Sequence, residues 1–264
     1  MASQAAHNVT FSRHFKAFKV SGVLRRGVHN VIKSVFCPNY SYKTATLGPF
    51  TASRERGQKR ETKFKPGIHS GLLTDRELSR CVKLLVKYHI PVQAFISMNN
   101  QSKYADKLKD QLTIQDYKLM KKKLQPSVTK IFQTCTKLNL TPTATQVAVG
   151  SESMRCATSC DLIAENAHGG KVVIEIKTGF MGYAARHTNT NMSIITPAVN
   201  DCCLNQFQLQ LFLTYQLYRT TFPQNNVVAC YVFRIDTLCV DVIPLQSWIK
   251  ANATRICDAV RCSR

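Results

Sequence analysis

An acid and a base on one short predicted strand are the first residues in this sequence whose types and spacing could do chemistry. The segment 172–178 is rich in β-branched residues, which predicts a strand, and it carries Glu175 and Lys177. Residues two apart on a strand project from the same face, so we expect these side chains to lie next to each other. Burying such a pair inside a sheet costs free energy, which indicates a functional use. The alternative is an ordinary salt bridge at the edge of a sheet.

A second acid can join this pair through a hairpin. Asp161 lies fourteen residues before Glu175, in an apolar run that also predicts a strand. The residues between the two runs, 165–170, have the composition of a turn. An antiparallel hairpin would bring Asp161 next to Glu175 and Lys177. Carboxylates are suitable ligands for a hard divalent cation, so the three residues predict a metal site that activates water.

The same residues resemble a known family motif. Asp161, followed by Glu175-Ile176-Lys177 and then Thr178-Gly179, is similar to the core motif of the PD-(D/E)XK nuclease superfamily. The likeness is to the RecB and lambda-exonuclease (YqaJ-like) branch, which occurs in DNA viruses and mobile elements. The resemblance covers approximately residues 128–245. It implies a restriction-endonuclease-like core.

The resemblance also implies roles for individual residues. Asp161, Glu175 and the Ile176 carbonyl would hold Mg²⁺ or Mn²⁺, and Lys177 would orient or deprotonate the attacking water. In this branch a later helix carries a glutamine near the metal-bound water or the scissile strand. Gln208, followed four residues on by a phenylalanine, is the closest match. Gln206 and Gln210 are rivals, because the register of a glutamine-rich helix is hard to fix from sequence.

Further contacts are expected on the same grounds. Family members use an upstream acid or histidine as an additional metal ligand, and the candidates, none of which matches the pattern clearly, are Glu77, His89, Asp116 and Glu152. A basic pocket for a terminal phosphate is also expected, because the planar fork of arginine binds phosphate oxygens in pairs. The residues that we predict to contact DNA are Arg76, Arg80, Lys171, Arg186 and Gln206.

Together these residues predict a metal-dependent deoxyribonuclease. The leading hypothesis is an exonuclease that processes linear DNA ends in viral-type replication or recombination. One alternative is a catalytically inactive DNA-binding protein on a nuclease fold. The other is a basic structural protein that binds nucleic acid through charge alone.

The charge of the chain favours a polyanionic partner. The formal net charge is +21 over 264 residues, and nucleic acid is the commonest partner of such proteins. Residues 1–68 contain thirteen Lys and Arg residues and two glutamates, a net charge of +11. We therefore predict a partly ordered basic N-terminal arm, which would embrace DNA, direct nuclear import or remain a solvated tail.

The pattern of apolar residues predicts one domain over residues 69–264, and the resemblance implies that it is a nuclease domain. A helical layer, 69–140, begins where Thr74 and Glu77 have the spacing of a capping box. A catalytic core, 141–264, follows with three strands, a helix, two strands and a last helix. This order predicts an α/β fold with a mixed sheet flanked by helices.

The cysteines and the apolar runs indicate where such a protein would work. Eleven cysteines without framework spacing predict reduced thiols, and hence a nuclear or cytoplasmic rather than a secreted protein. The spacing does not support zinc, and an iron–sulfur cluster using Cys257 and Cys262 with Cys81 or Cys135 is left open. No run is long enough for a membrane span. The resemblance leaves open a homo-oligomer and a single-strand-binding or annealing partner protein.

Overall fold

In the part of the chain that the structure describes, eight strands form one mixed sheet. This computed structural model describes residues 8–12, 17–38, 65–100, 106, 108–178, 191–235 and 239–263, with the backbone alone for 12, 65–70 and 98–100. The strands are β1 (Val9–Ser12), β2 (Ala17–Val20), β3 (Val23–Gly27), β4 (Leu140–Ser151), β5 (Cys156–Asn166), β6 (Lys171–Thr178), β7 (Val227–Ile235) and β8 (Val240–Pro244).

Helices lie between and after these strands. Pro126 begins the fifth of them at the position where a helix tolerates proline best. The helices are α1 (Val28–Val31), continued by a π-helical turn (Ile32–Phe36), α2 (Lys65–Lys87), α3 (Val92–Asn100), α4 (Ile114–Met120), α5 (Pro126–Lys137), α6 (Cys203–Thr221), α7 (Ser247–Ala251) and α8 (Ala253–Cys262). No helix in the described ranges combines the length and the apolar character that crossing a bilayer requires.

The strand order places β5 and β6 at the centre of the sheet. Along the sheet the order is β1-β2-β3-β5-β6-β7-β8, and β4 pairs with the other edge of β5. The pairs β3–β5 and β6–β7 are parallel, and the remaining pairs are antiparallel. A parallel pair needs a crossover connection, and α6 lies in the connection between β6 and β7. The predicted mixed sheet with flanking helices is confirmed at this level.

Two apolar cores separate along the strands, because successive side chains point to opposite faces of a sheet. Leu162 and Ile174 belong to one core, together with residues of α2, α3 and α5. Ile163 and Val173 belong to the other, together with α1, α6 and the two C-terminal helices. Each central strand is therefore buried on both faces, which explains its nearly continuous run of apolar residues.

The described part of the predicted basic arm belongs to this fold. Strands β1 to β3 join the sheet, and α1 with its π-helical turn buries Val28, Val31, Ile32 and Phe36 in the second core. Helix α2 runs without interruption across residue 68, where we placed the domain boundary. The basic segment before α2, residues 39–64, lies outside the described residues.

The predicted start of the first long helix is wrong. Helix α2 begins at Lys65, so Thr74 and Glu77 lie in its interior and do not form a capping box. The Thr74 hydroxyl instead hydrogen-bonds the Ser127 hydroxyl at 2.8 Å, and Glu77 Oε1 accepts a hydrogen bond from the backbone N of Gln125 at 2.7 Å. Both residues therefore fix α2 to the start of α5, and the intervening Asp75 is a mid-helix residue.

A close contact between β4 and the N-terminal hairpin gives a test of this arrangement. A Cβ atom on Gly150 would lie 2.5 Å from Val20 Cγ2, closer than real Cβ contacts allow. We expect Gly150→Ala to lower the free energy of unfolding by about 1–3 kcal/mol, because a β-branched side chain cannot rotate out of the way. Urea denaturation measures this loss. The Val20→Ala background should reduce it, and strictly additive losses would contradict the contact.

Candidate functional site

The central strands separate at the position of the two predicted acids. The β5–β6 ladder runs from Glu165 opposite Lys171 to Leu162 opposite Ile174. The next pair in this register is Asp161 and Glu175, and here the ladder ends. Asp161 Oδ2 accepts a hydrogen bond from the backbone N of Ile176 at 2.9 Å. The predicted hairpin is confirmed, and it brings Asp161 to the Glu175–Lys177 strand.

Glu175 is the buried centre of a small polar network. The residue is 1% exposed, and its Oε1 accepts hydrogen bonds from Lys177 Nζ at 2.7 Å and from Gln210 Nε2 at 2.5 Å. Lys177 Nζ also donates to Gln210 Oε1 at 3.0 Å. Glu175 Oε2 is buried and has no partner among the described residues. One carboxylate oxygen is thus fixed by two donors, whereas the other is buried without a donor, and the Asp161 carboxyl lies close enough to raise the pKa of Glu175.

The charges around Glu175 do not balance. Burial raises the pKa of the Glu175 carboxyl, and Asp161 raises it further, while Lys177 opposes both effects. Burial alone would lower the pKa of Lys177, but Glu175 and Asp161 outweigh burial and raise it. Lys177 therefore remains protonated beside two carboxyl groups. The site carries more acid than base, and a cation would stabilise it.

A third acid, Asp75, approaches from helix α2. Burial raises the pKa of Asp75 to about 6, with Asp161 adding to the rise and Lys177 opposing it, which places Asp75 within electrostatic range of both. Helix α2 can come this close because Gly71 faces Thr178 at the end of β6. A Cβ atom at Gly71 would lie 3.1 Å from Thr178 Oγ1. Asp75 was not among our predicted upstream acids, since we took the segment around it for a helix start.

Two of the upstream acids that we did predict have structural partners. Glu77 binds the start of α5, as described above. Asp116 accepts hydrogen bonds from Lys87 Nζ at 2.8 Å and from Tyr88 Oη at 2.5 Å. His89 lies just after α2, and Glu152 lies in the turn between β4 and β5. The structure groups none of these residues with Asp161 and Glu175.

Gln210, and not Gln208, is the glutamine of the network. Residues 208 and 210 differ by about 200° around a helix, so they face nearly opposite directions. Gln208 is fully buried, and its Oε1 accepts a hydrogen bond from the backbone N of Gln246 at 2.9 Å. Its predicted position beside the acids is therefore wrong. Sequence alone could not choose among the glutamines, because apolar residues surround α6 on all sides.

The predicted DNA-contacting residues do not lie together in the structure. Gln206 lies one turn before Gln210, and its Nε2 donates to Asp201 Oδ1 at 2.8 Å. Lys171 forms an ion pair with Glu165 at the opposite end of β6, about 20 Å from Lys177 by the rise of a strand. Arg76 and Arg80 lie on α2 near Asp75, and no contact joins them to the acids in the described ranges. Arg186 lies outside the described residues.

A cavity of about 250 Å³ adjoins Lys177 on the side of α6. The N-terminal segment contributes His29 and Ile32 to its wall, and α6 contributes Gln206, Phe207 and Gln210, with Cys203. Lys177 Nζ lies 5.0 Å from the centroid of the Phe207 ring. Burial, Lys33 and Lys177 lower the pKa of His29. Sequence reasoning missed this wall, because nothing in the pattern of residues 28–32 indicates that they lie beside Lys177.

The donor set suits a hard divalent cation. The donor atoms are the carboxylate oxygens of Asp161 and Glu175. Of these, the buried Glu175 Oε2 has no hydrogen-bond partner in the described structure. No three His, Cys, Asp or Glu side chains within the described ranges converge closely enough to hold a metal by themselves. Mg²⁺ usually binds through one or two carboxylates, water and substrate phosphates, so this donor set fits Mg²⁺ better than zinc. The carbonyl of Ile176 as a further ligand stays a prediction.

The cysteines do not form the iron–sulfur arrangement that the sequence left open. All eleven are free thiols. Cys81 and Cys135 lie in the first core, whereas Cys257 packs against the second, on the other face of the sheet. The four candidate cysteines are therefore not neighbours.

Comparison with known proteins adds no identification: no protein-family model matches the chain, and no curated protein matches it.

A double-mutant cycle tests which glutamine belongs to the network. Gln210→Ala and Lys177→Met remove two groups that share Glu175, so we expect their losses in the free energy of unfolding to be non-additive by about 0.5–3 kcal/mol. Gln208→Ala should add to Lys177→Met within about 0.5 kcal/mol, since these two residues share no partner. Urea denaturation of the single and double variants measures the coupling free energy of each pair, Lys177 with Gln210 and Lys177 with Gln208. Coupling of Lys177 to Gln208 would contradict the assignment.

Proposed function

We propose that this protein is a Mg²⁺-dependent deoxyribonuclease of the PD-(D/E)XK type, with Asp161, Glu175, Lys177 and Gln210 at its active site. The observation that carries the proposal is the buried Glu175 carboxylate, fixed at one oxygen by Lys177 and Gln210 and without a protein partner at the other. The β5–β6 ladder ends just before this carboxylate, so no backbone pairing between the two strands continues past it. A restriction-endonuclease-like core is part of the same proposal.

The distribution of charge supports a metal-assisted reaction on a polyanion. The chain has 36 basic and 15 acidic residues, yet Asp161 lies within electrostatic range of two further acids, Asp75 and Glu175. Concentrated negative charge in a strongly basic protein attracts a small cation locally, while the rest of the surface attracts phosphate. This combination suits phosphodiester hydrolysis better than a purely electrostatic DNA-binding role.

Each residue has a defined task in this proposal. Asp161 and Glu175 would hold Mg²⁺ or Mn²⁺, which supplies a hydroxide at neutral pH and neutralises charge on the phosphate. Lys177 Nζ lies beside Glu175 and would orient the attacking water or donate a hydrogen bond to the developing charge. Gln210 bonds to both Glu175 and Lys177, so it would maintain their relative orientation. Asp75 would bind the cation directly or through water.

Whether the protein cuts DNA from its ends or internally is proposed from the family resemblance and not from the geometry of the site. We propose an exonuclease that works on linear ends in replication or recombination. The alternative is a protein that binds DNA on the same fold without cutting it. Digestion of end-labelled linear DNA and of covalently closed circles, with Mg²⁺ or Mn²⁺, separates these cases. Binding without cleavage of either substrate would favour the alternative, and nicking of circles would indicate an endonuclease.

Removing one carboxylate charge tests the active site. We expect Glu175→Gln to reduce cleavage at least about a hundredfold while DNA binding is kept or strengthened, because a metal ligand and a repulsive charge are lost together. Cleavage of labelled linear DNA and a binding titration measure the two effects. Glu165→Gln is the matched control, since Glu165 forms its ion pair with Lys171 at the far end of the same strands. Equal activity of Glu175→Gln and wild type would contradict the site.

Neutralising part of the basic arm tests its contact with DNA. The residues to change to glutamine are Arg54, Arg56, Lys59 and Arg60, which lie outside the described residues. We expect the slope of log affinity against log salt to fall by up to roughly four units, because each phosphate contact contributes about 0.9. The loss should be similar for any DNA sequence, since phosphate contacts do not read bases. An unchanged slope would assign this segment to another partner.

A further inference from the structure

The cavity beside Lys177 adjoins the polar network around Glu175, where the proposed function places a phosphate of the DNA. Lys177 belongs both to the cavity wall and to the polar network around Glu175. A group attached to a phosphate at the network would therefore have the cavity within reach. The volume of about 250 Å³ is below the roughly 300 Å³ at which pockets for drug-sized ligands begin, which suits a single heterocycle.

The lining favours a base over a second phosphate. Phe207 contributes an aromatic ring, Ile32 an aliphatic surface, and Gln206 and Gln210 contribute neutral amides. Lys177 is the sole permanently charged residue among the described residues of the wall, and it already donates to Glu175 and Gln210. A phosphate pocket needs several cationic or N–H donors, whereas a base needs an aromatic face and a few polar groups. The lowered pKa of His29 agrees with an uncharged wall.

Gln206 has hydrogen-bonding capacity that its position does not use. The residue is 8% exposed, and its Nε2 donates to Asp201 Oδ1. Within the described ranges its Oε1 accepts no hydrogen bond. Gln206 lines the cavity, so its amide can exchange a hydrogen bond with a ligand that carries a donor group. Amino and imino groups of the bases are such donors.

We propose that this cavity binds one unpaired nucleobase of the DNA strand being cut, against Phe207 and within reach of the Gln206 amide. The inference rests on the proposed function, because it names the form of DNA that the same site accepts. A base inside a duplex cannot enter such a cavity without leaving its stack. The protein therefore acts on single-stranded DNA or on ends at which the terminal pair has opened.

Removal of single bases tests the proposal in the wild-type protein. Single-stranded oligonucleotides would each carry one abasic residue, placed in turn at the first three positions from either end. We expect cleavage to slow at one position by roughly 5- to 150-fold, which is the effect of losing one base–aromatic stack. Phe207→Leu should cut the intact substrate as slowly as wild type cuts that abasic substrate, and should not slow further on the abasic one.

A matched control lies on the same helix. Tyr215 lines a different cavity, together with residues of β7, so Tyr215→Leu should keep the full dependence on the base. Equal cleavage of intact and abasic substrates by the wild-type protein, at all positions, would overturn the base pocket and leave the nuclease intact. The base pocket would also be overturned if the cleavage rate of the Phe207→Leu variant changed with the presence of a terminal phosphate and not with the presence of the base.

A binding measurement keeps the two proposals separable. Glu175→Gln protein would be mixed with single-stranded DNA carrying 2-aminopurine, whose fluorescence falls when it stacks on an aromatic ring. We expect quenching that is lost when Phe207→Leu is added and kept when Tyr215→Leu is added. If the protein cuts no DNA at all, the proposed function fails, and this measurement alone decides the pocket. Quenching that is unaffected by Phe207→Leu would overturn it.

Discussion

The buried carboxylate of Glu175 is the interaction on which the rest of the site depends. An ionised carboxylate removed from water is costly unless charges and donors compensate for it, and Lys177 and Gln210 provide part of this compensation. Both partners bond to the same oxygen, so the second oxygen remains unpartnered in the described structure. This asymmetry stabilises the residue in one orientation. The Glu175–Lys177 ion pair within β6 is thus joined to helix α6 through Gln210.

The sheet positions this carboxylate by ending one ladder while another continues. Strand β6 pairs with β7 through Thr178, but its pairing with β5 stops at Ile174. Glu175 is thus held by the β7 ladder on one side, and on the other side it lies just beyond the last pair of the β5–β6 ladder. Helix α6 contacts it through Gln210, and α2 brings Asp75 within electrostatic range of Asp161. Strands and helices place side chains more precisely than loops, so the arrangement is suited to chemistry.

The N-terminal region combines two roles that its composition does not separate. Its charge suggested an arm outside the fold, yet its described residues add three strands to the sheet and bury Phe36 in the second core. Charge and burial coexist because α1 and its π-helical turn bury Val28, Val31, Ile32 and Phe36, while the neighbouring Lys33 stays exposed. Through His29 and Ile32 this region also forms one wall of the cavity beside Lys177. The part of the chain least informative in sequence therefore contributes to the candidate site.

Local patterns in the sequence determined the acid–base strand, the hairpin that brings Asp161 to Glu175, and the mixed sheet with flanking helices. These features depend on alternation and turn composition over short distances, which a sequence displays directly. The choice of Gln210 over Gln208, the approach of Asp75 and the N-terminal wall were decided by the tertiary structure. The rotation of a helix that is apolar all round is set by what packs against it, and contacts between distant segments depend on how the two cores assemble. Neither is encoded in the spacing of neighbouring residues.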